Sequence, residues 1–282
     1  MRSAWVREAG MFSEGTDADV LGRHAIIAAV RRVVVLLLLV GACSAPLQTG
    51  VFLQGTFAVP DELVSRDAPL DEMRYLLRFP PGYQPGDDVP LLVFLHGSGD
   101  DDYDSRWLTS YGLPAVLLFE ESPTDIPFVL LAPQAAPGTS WDRGRQPETV
   151  MALIDEIVSR HDLDPGAVSL TGLSMGGYGT WHLATRFGDR FNAAASVSGS
   201  GFGTTTLPDD LDVCALERVN LRAYHGSRDL ISLPELNQAV VDEWEARCGT
   251  ELDFRISDDA GHFETFEQVY RDPEFYDWLL AR

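Results

Sequence analysis

Four glycines, Gly172, Gly176, Gly177 and Gly179, surround Ser174 in the run SLTGLSMGGYGTW that begins at Ser169. Glycine loses more backbone entropy on folding than any other residue, and it weakens strands and helices alike. Its crowding here needs a geometric reason. The preceding AVSLTG (167–172) is strand-like and Tyr178–Phe187 reads as a helix. Between them the chain must turn within a few residues, with the two backbones in close approach. Gly172-Leu173-Ser174-Met175-Gly176 meets that demand as G-x-S-x-G: the glycines admit the approach, and the serine stands on a sharp, strained turn with its hydroxyl projecting.

The same alternation runs along the rest of the chain. Met73–Phe79 reads as a strand stopped by Pro80, Pro81 and Gly82, and Leu91–Gly97 and Phe128–Pro133 are continuous apolar runs, the pattern of strands buried on both faces. Glu148–His161 carries apolar residues at 150, 153, 154, 157 and 158, a helical stripe. Asn192–Gly199, Leu221–Gly226 and Glu251–Ser257 read as strands, Pro234–Cys248 as a helix, and a terminal helix starts near Pro273. Strands alternating with helices imply an α/β fold with a mostly parallel sheet covered on both faces. A chain of 282 residues, 45% hydrophobic, suits one large domain of this kind. The expected organisation is a leader over 1–42, an N-terminal linker over 43–72 and a single α/β domain over 73–282.

A serine hydroxyl becomes a useful nucleophile only when a base takes its proton, and six histidines are available. His24 lies in the leader, His161 ends a helix, His182 lies in the helix behind the serine, and His96 and His225 each close a strand before a glycine. His262, in DDAGHFET, falls on a loop after the last strand, the place of the base in the chain order serine, acid, histidine. The acid that orients it is expected at Asp229, in HGSRDLISLPE beyond Leu221–Gly226, with Asp258 and Asp259 as competitors. Backbone donors for an oxyanion are expected at Met175, at the positive end of a helix, and at Ser98, in the Gly97–Gly99 segment.

Acidic residues outnumber basic ones 43 to 21, every basic residue is arginine, and the formal charge is −22. Such a surface repels phosphate backbones and anionic lipid headgroups, which excludes nucleic acid as a partner. At the N-terminus Arg31 and Arg32 precede VVVLLLLVGAC, too short an apolar run to span a membrane but fitting a secretory h-region. VGAC, Val40–Cys43, resembles the bacterial lipobox, which implies lipidation at Cys43; cleavage near Ala42 or Ala45, or a buried hydrophobic segment, are the alternatives. The protein is thus expected to be exported, to the cell envelope or beyond, touching a membrane only through that anchor. With Cys43 so modified, Cys214 and Cys248 remain as an even pair, either bridged or as two separate buried thiols.

Taken together, LLVFLHGSGDD, LTGLSMGGYGTWHLATRFGDRFNAAASVSG, AYHGSRD and AGH resemble the α/β-hydrolase fold, and within it the bacterial carboxylesterases related to feruloyl esterases, polyhydroxyalkanoate depolymerases and prolyl-oligopeptidase-type hydrolases. The resemblance covers about residue 73 to the C-terminus. It implies a serine carboxylesterase that works through an acyl-enzyme on small-molecule or carbohydrate-linked esters, without metal or organic cofactor, with Gln134 and Trp141 lining the pocket. Two other readings stand beside it. A serine peptidase of prolyl-oligopeptidase type would normally carry a propeller, which the 43–72 segment is too short to build. A noncatalytic binding module on the same scaffold is opposed by the serine, acid and histidine standing in order. Specificity is assigned to loops 99–127 and 198–214, whose shapes sequence does not fix.

Overall fold

The computed structural model describes residues 47–64, 71–99, 108–119, 127–199, 201 and 212–280. The leader and Cys43 lie outside the described residues, as does much of the two loops assigned to specificity. The continuous apolar runs become the middle of a sheet: β3 (Leu91–Leu95), β4 (Val129–Pro133), β5 (Val168–Leu173) and β6 (Ala193–Val197) are buried along their whole length. Parallel strands covered by helices on both faces require this. β7 (Asn220–Gly226) and β8 (Asp253–Ser257) extend the sheet on one side, and β2 (Glu72–Arg78) and β1 (Phe52–Ala58) on the other. The order is β1-β2-β4-β3-β5-β6-β7-β8, parallel from β4 to β8 and antiparallel at β1–β2 and β2–β4.

From β3 the chain steps outward to β4, then returns to lay β5 on the other side of β3. The winding reverses there, and a crevice opens beyond the carboxyl ends of β3 and β5. Ser174 follows β5 directly, and His96 follows β3.

Six helices are described: α1 (Gly112–Phe119), α2 (Gln146–His161), α3 (Met175–Phe187), α4 (Pro234–Cys248), α5 (His262–Arg271) and α6 (Pro273–Leu280). The stripe expected on α2 is its buried face: Val150, Leu153, Ile154 and Ile157 are all fully buried. Each such side chain contributes about 1.5–3 kcal/mol of transfer free energy. The helix ends at Asp162, whose φ of 54° is left-handed and stops the ladder. On the other face α5 and α6 bring Tyr270, Phe275 and Tyr276 against Phe94 and Phe128. Thr171 in β5 donates to the Ala195 carbonyl (2.8 Å), so the Tyr270 hydroxyl is the donor in its 3.1 Å bond to Thr171 Oγ1. That bond ties α5 to the strand that leads into Ser174.

Three elements differ from the sequence reading. The stretch assigned to the linker contains β1, a half-exposed edge strand in which Gly55 lies under the Tyr75 ring. Helix α1 lies inside the segment read as loop. His262 is the first residue of α5 rather than a loop residue. Cys214, in the 3-10 turn Val213–Arg218, and Cys248, at the end of α4, form a disulfide with their Cα atoms 5.5 Å apart. Among the described residues no helix is long and apolar enough to cross a membrane.

Candidate active site

Ser174 has φ 53° and ψ −116°, a backbone that side chains other than glycine's rarely adopt. The flanking glycines explain how the turn closes. A Cβ on Gly172 would stand 2.3 Å from the Gly176 carbonyl oxygen, and one on Gly176 would stand 2.0 Å from the carbonyl oxygen of Leu95. No side chain fits at either place, so β3, β5 and the start of α3 meet backbone to backbone. The Ser174 amide donates to Val197 O (2.9 Å), which fixes the turn over β6.

His262 arrives from the far side of the sheet, and its Nε2 lies 3.0 Å from Ser174 Oγ. Its Nδ1 lies 2.6 Å from Asp229 Oδ2. A carboxylate only accepts, so Nδ1 carries the proton and Nε2 is left free to accept from the serine hydroxyl. Phe266 packs on the imidazole with ring centroids 4.8 Å apart. Asp229 is 1% exposed, and its other oxygen accepts the backbone amides of Ile231 and Ser232, both at 2.9 Å. The competing acids Asp258 and Asp259 are both exposed, and Asp259 pairs with Arg228.

The turn after β3 comes up beside the serine, where a Cβ on Gly97 would lie 3.6 Å from Ser174 Cβ. His96 holds this turn from beneath. The Ala135 amide donates to His96 Nε2 (3.0 Å), which places the ring proton on Nδ1, and that proton goes to the Gly97 carbonyl (2.6 Å). Trp141 Nε1 donates to the His96 carbonyl (3.0 Å). Ser98 follows and is exposed, and Met175 is the first residue of α3.

Trp141 and Gln134, expected at the pocket, are both buried. Trp141 is fully buried, wedged between the His96 ring and Gly179, and it supports the turn through its bond to the His96 carbonyl. Gln134 is 2% exposed, and its backbone N–H donates to Arg74 O. Next to His262 along α5, a cleft of about 230 Å³ lies between α1 and α5, lined by Tyr111, Val116, Phe263, Phe266 and Arg271 among others. Phe263 is 57% exposed at its edge. A larger cleft of about 440 Å³ opens near the amino ends of β7 and β8, around Asn220 and Asp253. It lies at the end of the sheet away from Ser174, so size does not mark the site here. His96 and the two phenylalanines are the contributors the sequence did not assign, and nothing in residue type or spacing distinguishes them from ordinary core residues.

A sheet wound in this order, with serine, acid and histidine beyond its carboxyl edge, defines an α/β-hydrolase. A solved thermostable esterase has the same fold at TM-score 0.62 and 23% identity, covering 81% of this chain and 62% of that one. The Esterase family matches residues 68–205. Feruloyl esterase B of Thermothelomyces thermophilus is 23% identical over 60% of this chain and 68% of its own length. A bifunctional acetylxylan esterase/xylanase of Neocallimastix patriciarum is 32% identical over 39% of this chain, but over only 16% of its own length. The chain is a carboxylesterase-type hydrolase.

Proposed function

We propose that this hydrolase cleaves its esters with Ser174 as nucleophile, His262 as proton carrier and Asp229 as the carboxylate that holds His262. What supports this most is the unbroken line from Ser174 Oγ through His262 to Asp229, with steps of 3.0 and 2.6 Å. As Oγ adds to the ester carbonyl, His262 Nε2 takes its proton, and the imidazolium that forms faces the Asp229 carboxylate. The oxyanion is received by the amides of Met175 and Ser98, at the start of α3 and in the turn that His96 and Trp141 brace. His262 then gives the proton to the leaving alcohol, and a water repeats the sequence on the acyl-enzyme.

The substrate is a small-molecule or carbohydrate-linked ester with an apolar or aromatic part that the Phe263–Phe266 cleft receives. The relatives' names carry feruloyl and acetylxylan esters, and a panel of p-nitrophenyl, feruloyl and acetylated-sugar esters separates these classes. Ser174→Ala should abolish turnover of short p-nitrophenyl esters by several orders of magnitude with the fold intact. Retention of a tenth of the activity would overturn the assignment of the nucleophile.

We also place the enzyme outside the cytoplasm, with 1–42 as leader, Cys43 as the lipid-bearing residue, 43–72 as the N-terminal linker, which lends the sheet its edge strand β1, and 73–282 as the catalytic domain. The apolar run ending in VGAC supports this, and so does a disulfide of the kind that persists in oxidising compartments. Intact mass of protein from its own host tests it: a chain beginning at Cys43 with added lipid is expected, and an unlipidated start contradicts the anchor.

A further inference from the structure

Asp229 Oδ2 faces a second histidine. His225 closes β7, is fully buried, and its Nε2 lies 2.6 Å from the Ser232 carbonyl oxygen and 3.3 Å from Asp229 Oδ2. Both of those groups only accept, so Nε2 carries a proton. Nδ1 faces the side-chain amide nitrogen of Asn237 at 3.5 Å, a donor, and is therefore the unprotonated nitrogen. Asn237 is fully buried on α4. The ring is thus neutral and fixed in one tautomer, its single proton turned toward both ends of the loop that presents the acid.

We propose that His225 is a positioning residue for the reaction: its Nε2–H clamps the 229–232 loop through Ser232 and steadies Asp229 Oδ2 against His262. This rests on the reading of Ser174, His262 and Asp229 given above. Asp229 then has each oxygen held, one by the Ile231 and Ser232 amides and the other between two imidazoles. A carboxylate held so firmly keeps His262 aligned with Ser174, where a misplacement of about 1 Å can cost on the order of 100-fold in rate. The charged or titratable groups that face His225 are Asp229, His262 and Glu235. Burial outweighs the hydrogen bond to the Ser232 carbonyl and the pull of the two carboxylates, and pushes the imidazole pKa down, in keeping with a neutral donor. A charged His225 would instead compete with His262 for the same carboxylate.

The test compares His225→Phe, which removes the donor, with His225→Gln, whose amide nitrogen reaches about as far as Nε2. In His225→Phe, kcat on a short p-nitrophenyl ester should fall about 10- to 100-fold with KM little changed. The acid limb of its kcat/KM profile should also move to lower pH, because an imidazolium less well served by Asp229 loses its proton more readily. His225→Gln should recover most of both. Equal damage from Phe and Gln, or a reduced kcat on an unmoved pH profile, would mean that His225 only fills space. If Ser174→Ala is inactive while His225→Phe stays at wild-type rate, this proposal fails and the nucleophile assignment survives; an active Ser174→Ala removes the assignment itself. Should His225→Phe not fold, nitrogen NMR of histidine-labelled wild-type enzyme decides. A neutral Nε2–H tautomer through the active pH range is expected, and an Nδ1–H tautomer or a His225 that titrates along the acid limb overturns it.

Discussion

Ser174 occupies a backbone conformation that stores strain, about 1–3 kcal/mol for a residue with a side chain at such angles. The strain holds its hydroxyl at the crevice. It also sets stability against function at one position, which gives a prediction. Ser174→Gly should be more stable than Ser174→Ala by about 1 kcal/mol in urea unfolding, because both lose the hydroxyl but only glycine relaxes the positive φ. Equal midpoints would show that the turn is not strained. For the acid, Asp229→Asn should lower kcat by about 10⁴-fold, since an amide at this site favours the wrong imidazole tautomer. Asp258→Asn and Asp259→Asn should leave kcat near wild type, and the reverse ranking would give the acid role to that pair. At this scale the sequence spoke through chemistry and order. G-x-S-x-G, an aspartate after a strand and a late histidine each carry a functional meaning of their own. Trp141 and His96 do not: a tryptophan that lines a pocket and one that braces a turn from within are the same letter, and only burial separates them.

Elements were legible where packing imposes one pattern and obscure where it does not. The strands from β3 to β6 are buried on both faces, so their apolar runs had one reading, and α2 buries a regular stripe. β1 lies at the sheet edge and is interrupted by Gly55, whose missing side chain is covered by Tyr75 from the neighbouring strand. That compensation lies across the sheet and is invisible along the chain. Helix α1, GLPAVLLF, is apolar without a polar face, so no period separates it from a buried loop. Helix α5 does carry apolar residues at 263, 266, 269 and 270, but it opens at Gly261 without a side-chain cap, and its first residue is His262 itself. The helix is held instead by its far end, where Tyr270 reaches Thr171. Tyr270→Phe removes that donor while leaving Thr171 bonded to Ala195, and should cost about 1 kcal/mol of stability. The same change should loosen His262, so kcat should fall by a few-fold while Ser174 remains reactive toward a fluorophosphonate. An unchanged unfolding midpoint would show that packing alone fixes α5.

Across the whole molecule, the carboxyl edge of the sheet gathers groups from loops far apart in the chain, and the disulfide encloses one of them. The closed loop runs from Cys214 to Cys248, a separation of 34 residues that contains β7, His225, Asp229 and α4. By the chain-entropy argument, closing a loop of that length removes freedom from the unfolded chain amounting to about 4 kcal/mol. An acidic chain of charge −22 gains from such a restraint, because self-repulsion favours its expanded forms. Replacing both cysteines with serine should therefore lower the unfolding free energy by about 3–4 kcal/mol, measured by urea titration at equal salt. The folded variant should keep most of its esterase rate, since Asp229 is held by the Ile231 and Ser232 amides and by its histidine neighbours, none of which needs the bridge. A loss of stability below about 1 kcal/mol would mean that the unfolded chain is already compact there. A folded variant without activity would mean that the bridge shapes the acid loop directly, and the division drawn here between restraint of the chain and positioning of the site would be wrong.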